Sequence, residues 1–215
     1  MADQYFSAEP SSDDVRRVVA ARIWGRDYEL VTASGVFSRD RLDLGTSVLL
    51  REVEPPVAGG TYLDLGCGYG PIACALATEC PDAVVWAVDV NRRALELTGE
   101  NATRLKVADR VRPALPEDVP ADVRFDQIWS NPAIRIGKPE LHRMLLTWLP
   151  RLTPDGVAWL VVGKNLGADS LQRWLADQGF ECTREASAKG FRVLRVAHAT
   201  NAPGDASSGH GDAGR

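Results

Sequence analysis

Three glycines at alternate positions, Gly66, Gly68 and Gly70, follow the apolar run TYLDL, and Asp64 stands two residues before the first of them. A chain without Cβ atoms turns sharply and lets a ligand lie against its backbone, so DLGCGYG is read as a cradle for a small molecule. Cys67 lies within it, and loop backbone rather than sulfur chemistry explains its place there. About 20 residues on, a spacing typical of nucleotide-binding folds, WAVDVN carries Asp89 and Val90 at the end of a second apolar run. An acid at that point accepts hydrogen bonds from ribose hydroxyls; taken alone, it would serve equally as the N-cap of a helix. Dinucleotide loops run GxGxxG, whereas this one runs GxGxG after an acid, and that spacing points to S-adenosylmethionine.

A second cluster is IWSNPAIR, Ile128 to Arg135. An Asn-Pro pair closing an apolar run is either a strand-ending turn or a holder for an amino group that receives a methyl. Displacement at a sulfonium methyl needs little acid or base; it needs a positioned nucleophile with an exposed lone pair. An amine on a nucleobase or an amide is a poor nucleophile, because its lone pair is delocalised. Two acceptors at its hydrogens, the Asn131 side-chain oxygen and the Pro132 carbonyl, hold it and favour the more tetrahedral amine of the transition state. A base stacked in nucleic acid must also be extruded and sandwiched. Arg135 and Lys138 follow as candidate phosphate contacts. As solvated helix-start charges they would oppose the macrodipole.

These residues need a sheet to bring them together. TYLDL, AVVWAVD, RVRPAL, FDQIWS and GVAWLVV read as strands, with helices starting near Pro71, Asn91, Lys138 and Ala168. Strands joined by helices imply a parallel sheet covered on both faces, with ligands at its carboxyl edge. FECTREA and FRVLRVA, separated by Lys189-Gly190, predict an antiparallel hairpin at the sheet's edge. In the leading segment, residues 13 to 22 read as a short helix and Tyr28 to Thr32 as a strand. Thr46 to Glu54 reads as a helix ending before Pro55-Pro56. The division expected is a lead-in with helices packing on the core over residues 1 to 57, a core over 58 to 198, and a disordered tail over 199 to 215.

With 215 residues and 45% hydrophobic content, the chain fits one medium-sized domain. It has no apolar run of the roughly 18 residues that span a bilayer and no signal-like start, so a cytoplasmic protein without membrane contact is expected. Four cysteines without a CxxC pair, and three histidines without an HExxH pattern, suggest neither a zinc nor a redox site. The formal charge of -4 is unevenly spread: residues 131 to 198 carry 10 Lys and Arg against 6 Asp and Glu. That permits a phosphate-facing patch; a scatter of solvated charges fits equally. Asp126 reads as a strand-end residue rather than a base, and Trp86, Trp129, Trp159 and Trp174 read as core.

DLGCGYG resembles motif I of the class I methyltransferases. The chain further resembles the small-domain methyltransferase family that includes ribosomal RNA guanine-N2 methyltransferases. The resemblance is carried by ASGVFSRDRLDLGTSVLL, YLDLGCGYGPI, VDVN, FDQIWSNP and KGFRVLR, and by SNPAIRIGK where shorter members have SNPPIRAGK; it covers roughly residues 25 to 198. It implies a Rossmann-like α/β fold with a seven-stranded, mostly parallel sheet, and S-adenosylmethionine as cofactor. By that resemblance Asp64, Gly66, Cys67, Gly68 and Gly70 line the cofactor, Asp89 and Val90 meet its ribose end, Asn131 also borders it, and Gly45 and Thr46 pack nearby. Asn131 and the Pro132 carbonyl hold the target amine beside Ala133 and Ile134. Ala133 stands where the family has a second proline, which restores an N–H and backbone freedom. Ile134 takes the stacking position that an aromatic fills in many relatives. No acid clearly follows the third core strand for the adenine amine; Glu117, Asp118 or the backbone alone are the candidates. The implied substrate is a guanine N2 amine of ribosomal RNA, within the small subunit. A protein glutamine amide and a cofactor-binding interaction module remain as alternatives, and a homodimer is compatible with the short chain.

Overall fold

The computed structural model describes residues 15–36, 41–132 and 137–199. Strands β1 (Arg16–Ile23) and β2 (Arg26–Ala33) form a separate antiparallel hairpin. Helix α1 (Leu44–Glu52) leads into the core. Strand β3 (Thr61–Leu65) is followed by α2 (Pro71–Glu79), β4 (Val84–Val88), α3 (Arg92–Arg104) and β5 (Val111–Ala114). Strand β6 (Phe125–Ser130), α4 (Lys138–Trp148), β7 (Leu152–Gly163), α5 (Ala168–Asp177), β8 (Phe180–Ala188) and β9 (Phe191–His198) complete the order.

Seven strands form the main sheet in the order β5-β4-β3-β6-β7-β9-β8. The first five of these are parallel, and β9 and β8 form the antiparallel hairpin at the edge, with β9 inserted against β7. Because successive side chains point to opposite faces, β3 sends Tyr62 into the layer beneath α1, α2 and α3, and Leu63 and Leu65 into the layer beneath α4 and α5. Strand β6 divides likewise, with Trp129 in the first layer and Ile128 in the second. The tryptophans behave largely as core: Trp129 is fully buried, and Trp86, Trp159 and Trp174 pack on the two cores.

The helix expected over residues 13 to 22 is instead strand β1. Its burial has period two, with Val19 and Ile23 at 2% exposure and Val18 at 57%. Alanines and arginines at the remaining positions blur that alternation in the sequence. Trp24 and Gly25, at φ 46° and 80°, close the hairpin in the left-handed region, the conformation favoured at two-residue hairpin turns. Trp24 also donates from Nε1 to the Val53 carbonyl at 2.9 Å and meets Trp129 edge-on at 5.9 Å between ring centroids.

A buried side chain of α3 also docks this hairpin on the core. Asn101 of α3, fully buried, accepts from the Val31 amide at 2.7 Å and donates from Nδ2 to the carbonyls of Val31 and Tyr69, both at 2.8 Å. It therefore completes the edge of β2 and pins the glycine loop at the same time. Asn101→Ala leaves three buried backbone groups without partners. The expected loss of stability is about 3 kcal/mol, taking roughly 1 kcal/mol for each unmade bond, read as a shifted urea midpoint at unchanged slope.

Candidate active site

The loops after β3, β4 and β6 meet at one edge of the sheet, because those strands run parallel. Leu65 pairs with Val88 and Asp64 with Trp129, so the glycine loop, Asp89 and Asn131 emerge side by side. The edge is tied together by side-chain and backbone bonds. Ser130 donates from Oγ to the Leu65 carbonyl at 2.7 Å, and the amides of Gly66 and Cys67 both donate to the Val88 carbonyl.

Gly66 and Gly68 adopt φ of 77° and 57°. Among the described residues, no heavy atom beyond their chain neighbours lies within 4 Å of where their Cβ atoms would stand. The loop thus offers open space along its backbone, as the alternating glycines predict. Gly70, at φ 80°, caps α2 and also needs its missing side chain, since a Cβ would lie 2.8 Å from Thr98. Cys67, Cys74 and Cys80 are buried free thiols. Burial raises the pKa of each, so none is a poised nucleophile.

Two carboxylates anchor the cradle. Asp89 accepts from the Gly68 amide through Oδ2 and from the Asn91 amide through Oδ1, both at 2.9 Å. Each oxygen keeps capacity for a further donor. Burial raises its pKa against the opposing pull of the Asn91, Gly68 and Val90 amides. The helix cap that Asp89 might have supplied belongs to Asn91, whose Oδ1 accepts from the amides of Arg93 and Ala94. Asp64 is 1% exposed and accepts from the Ala73 amide at 2.9 Å through Oδ2, while its buried Oδ1 has no partner among the described residues. Burial, reinforced by Asp89 and partly offset by the Ala73 amide, pushes the Asp64 carboxyl up to about 8. A buried acceptor of this kind, on the strand that leads into the glycine loop, fits a cationic donor such as an amino-acid ammonium. Val90, 46% exposed at the end of β4, adds apolar surface at the same edge.

Asn131 leaves β6 beside the buried Pro132. Its Nδ2 donates to Asp43 Oδ2 at 2.6 Å and to Thr46 Oγ1 at 3.0 Å. Among the described residues its Oδ1 accepts no hydrogen bond and remains the free acceptor. Gly45 and Thr46 therefore pack against Asn131. A Cβ on Gly45 would lie 3.0 Å from Asn131 Oδ1 and 3.1 Å from the Phe191 ring, so the start of β9 also reaches this corner. Lys138 begins α4 and its Cε lies against Gly167. Ala133, Ile134 and Arg135 lie outside the described residues. Glu117 and Asp118 sit on an exposed 3-10 turn shortly after β5. Asp126 starts β6 at the opposite end of the sheet and accepts from the Thr61 amide at 2.9 Å, a strand-end role.

Sequence reasoning passed over Asp43 and Tyr69. Asp43 is the N-cap of α1, accepting from the Thr46 amide at 3.0 Å, and its spacing to Thr46 is the signal that could have revealed it. The Tyr69 hydroxyl is buried without a partner among the described residues; burial, with the Asp43 charge adding, raises its pKa and keeps it a donor.

The methyltransferase small domain family matches over residues 27–195. The chain belongs to that family. Its methyl donor is S-adenosylmethionine, and the chain is accordingly an S-adenosylmethionine-dependent methyltransferase. The uncharacterized protein YbxB of Bacillus subtilis is 32% identical over 201 residues, covering 91% of this chain and 98% of its own. Ribosomal RNA small subunit methyltransferase C of Alcanivorax borkumensis is 32% identical over 178 residues, covering 79% of this chain and 52% of its own. The chain thus spans about half the length of that ribosomal relative. A T. thermophilus 16S rRNA N2 methyltransferase (RsmC), solved with AdoMet and guanosine, shares the fold with a TM-score of 0.72 at 23% identity, covering 88% of this chain and 52% of that one. No helix among the described residues is long and apolar enough to cross a membrane.

Proposed function

We propose that this methyltransferase of the small-domain family methylates the exocyclic N2 amine of a guanine in ribosomal RNA of the small subunit. The observation that carries the proposal is the state of Asn131: both amide hydrogens are engaged by Asp43 and Thr46, and among the described residues nothing donates to its oxygen at the sheet edge that holds the glycine cradle. An acceptor fixed in this way suits an amino group, which has two hydrogens to place. Similarity to proteins named for ribosomal RNA methylation supports the choice of RNA.

When bound, S-adenosylmethionine supplies a methyl group on a cationic sulfur. Asp64 holds the ammonium of its methionine end, the backbone of Gly66 to Gly70 lies along it, and Asp89 takes the ribose hydroxyls, with Val90 beside it. Asn131 Oδ1 and the Pro132 carbonyl hold the two amine hydrogens, so that the nitrogen lone pair faces the cradle. Both acceptors strengthen their bonds as positive charge grows on the nitrogen, which places their contribution in the transition state. Ile134 is assigned to the face of the extruded base, with Ala133 leaving that part of the turn less constrained than a second proline would. Arg135 and Lys138 are assigned to RNA phosphates, in keeping with the basic balance of residues 131 to 198.

The test is incubation with radiolabelled cofactor and undermethylated small ribosomal subunits, followed by mapping of the label. Label at guanine N2 of the subunit RNA is the expected result. Label in protein, as for a glutamine amide, or bound cofactor with no transfer, overturns the proposal.

A further inference from the structure

We propose that Asp43 is the positioning residue that decides which end of the Asn131 amide meets the acceptor amine. The inference rests on the amine-holding role given to Asn131 above. An asparagine amide has nearly the same shape after a half-turn, so packing alone does not distinguish its oxygen from its nitrogen; its hydrogen-bond partners must.

Two partners face the Asn131 nitrogen, and they differ in what they enforce. The Thr46 hydroxyl, 3.0 Å from Nδ2, is able to accept or donate, and tolerates either orientation. The Asp43 carboxylate, 2.6 Å from Nδ2, has only lone pairs to offer. Turning the amide over would set Oδ1 against a carboxylate oxygen with no hydrogen between them, a repulsive contact. Asp43 is thus the partner that forbids the turn, and it leaves Oδ1 as the acceptor. The bond also polarises the amide, since a hydrogen given to an anion pushes electron density toward Oδ1. That strengthens Oδ1 as an acceptor for an amine gaining positive charge.

Asp43 is itself fixed. Its Oδ2 also accepts from the Thr46 amide at 3.0 Å, so the cap of α1 and the lock on Asn131 share one atom. Gly45 supplies the room. A Cβ there would lie 3.0 Å from both Asn131 Oδ1 and Asp43 Oδ2. The segment Asp43-Leu44-Gly45-Thr46 therefore works as one device, delivered to the end of β6 by the start of α1.

Asp43→Asn separates the cap from the lock. Asparagine caps a helix as well as aspartate does, but its amide is able to donate to Asn131 Oδ1 and so admits both orientations. The first measurement is the side-chain amide pair of Asn131 in a 15N-labelled full chain without RNA, assigned by its loss in Asn131→Ala. In the wild type this pair is expected to exchange slowly with solvent. In Asp43→Asn it is expected to shift and exchange at least about tenfold faster, with thermal midpoint and S-adenosylhomocysteine affinity unchanged. The second measurement is transfer to undermethylated subunits, where kcat is expected to fall at least about tenfold while KM for RNA holds within a few-fold. Asp43→Ser, which also caps but carries no charge, supplies the same readings if the asparagine variant is unstable. An unchanged Asn131 amide signal, or transfer at the wild-type kcat, overturns the proposal. If the wild type labels no ribosomal RNA, the substrate assignment falls, and the amide signal alone decides the lock.

Discussion

Asn131→Ala is expected to lower methyl transfer by at least about a hundredfold, the scale for removing one fixed polar group that stabilises a transition state. Cofactor affinity is expected to stay within a few-fold. The two expectations follow from one geometry. Asn131 stands at the end of β6 with its oxygen free among the described residues, whereas the cradle of Gly66, Gly68, Asp64 and Asp89 is held by its own bonds to Val88, Ala73 and Asn91. Truncating Asn131 removes two hydrogen bonds, to Asp43 and Thr46, neither of which supports the cradle. Asp43 keeps the Thr46 amide as donor, so α1 keeps its cap. Calorimetry with S-adenosylhomocysteine reads the first property, and single-turnover transfer to undermethylated subunits reads the second. A variant that lost cofactor affinity and kept its transfer rate would show that Asn131 belongs to the cofactor and not to the acceptor.

The sheet and the cradle were legible because they depend on local patterns. Apolar runs alternating with helix-type segments located the strands, and glycines two apart mark a backbone that must pass through the left-handed region, as Gly66, Gly68 and Gly70 do. Strand β1 was not legible, because its buried Val19 and Ile23 alternate with residues that suit a helix equally well. Its pairing depends on a turn at Trp24-Gly25 and on Asn101, a residue 70 positions from the Val31 backbone that it satisfies. The role of Asp43 was hidden for the same reason. As a sequence feature it is a helix cap, and only the convergence of α1 with β6, 88 residues apart in the chain, turns it toward Asn131. The family resemblance did contain the segment that carries Asp43, Gly45 and Thr46. It assigned the last two to the neighbourhood of the cofactor, whereas their closest described business is with Asn131.

Asp64 gives the second large effect, and its sign differs between stability and binding. An unperturbed aspartate ionises near pH 3.9, while burial in the folded chain pushes Asp64 up to about 8. Between those values the native state holds one more proton at this site than the unfolded chain does. Stability therefore falls as pH rises through that window, by at most about 1.4 kcal/mol per unit. A bound ammonium reverses the preference and favours the carboxylate, so cofactor binding near pH 7 is expected to release close to one proton. Affinity should then rise from pH 6 to pH 7.5, approaching tenfold per unit, a range in which the α-amino group of the ligand itself stays mostly protonated. Titration calorimetry with S-adenosylhomocysteine in buffers of different ionisation enthalpy counts the proton directly. Asp64→Asn keeps an acceptor for the Ala73 amide and removes the charge. Its affinity is expected to fall by about 10-fold to 150-fold, the equivalent of losing one charged hydrogen bond of roughly 1.5–3 kcal/mol, and the pH slope should vanish with it. The same variant should gain stability relative to the wild type as pH rises, because it has no buried carboxyl to ionise. Undiminished affinity together with no proton release would remove Asp64 from the cofactor site and leave its unpaired Oδ1 without an explanation.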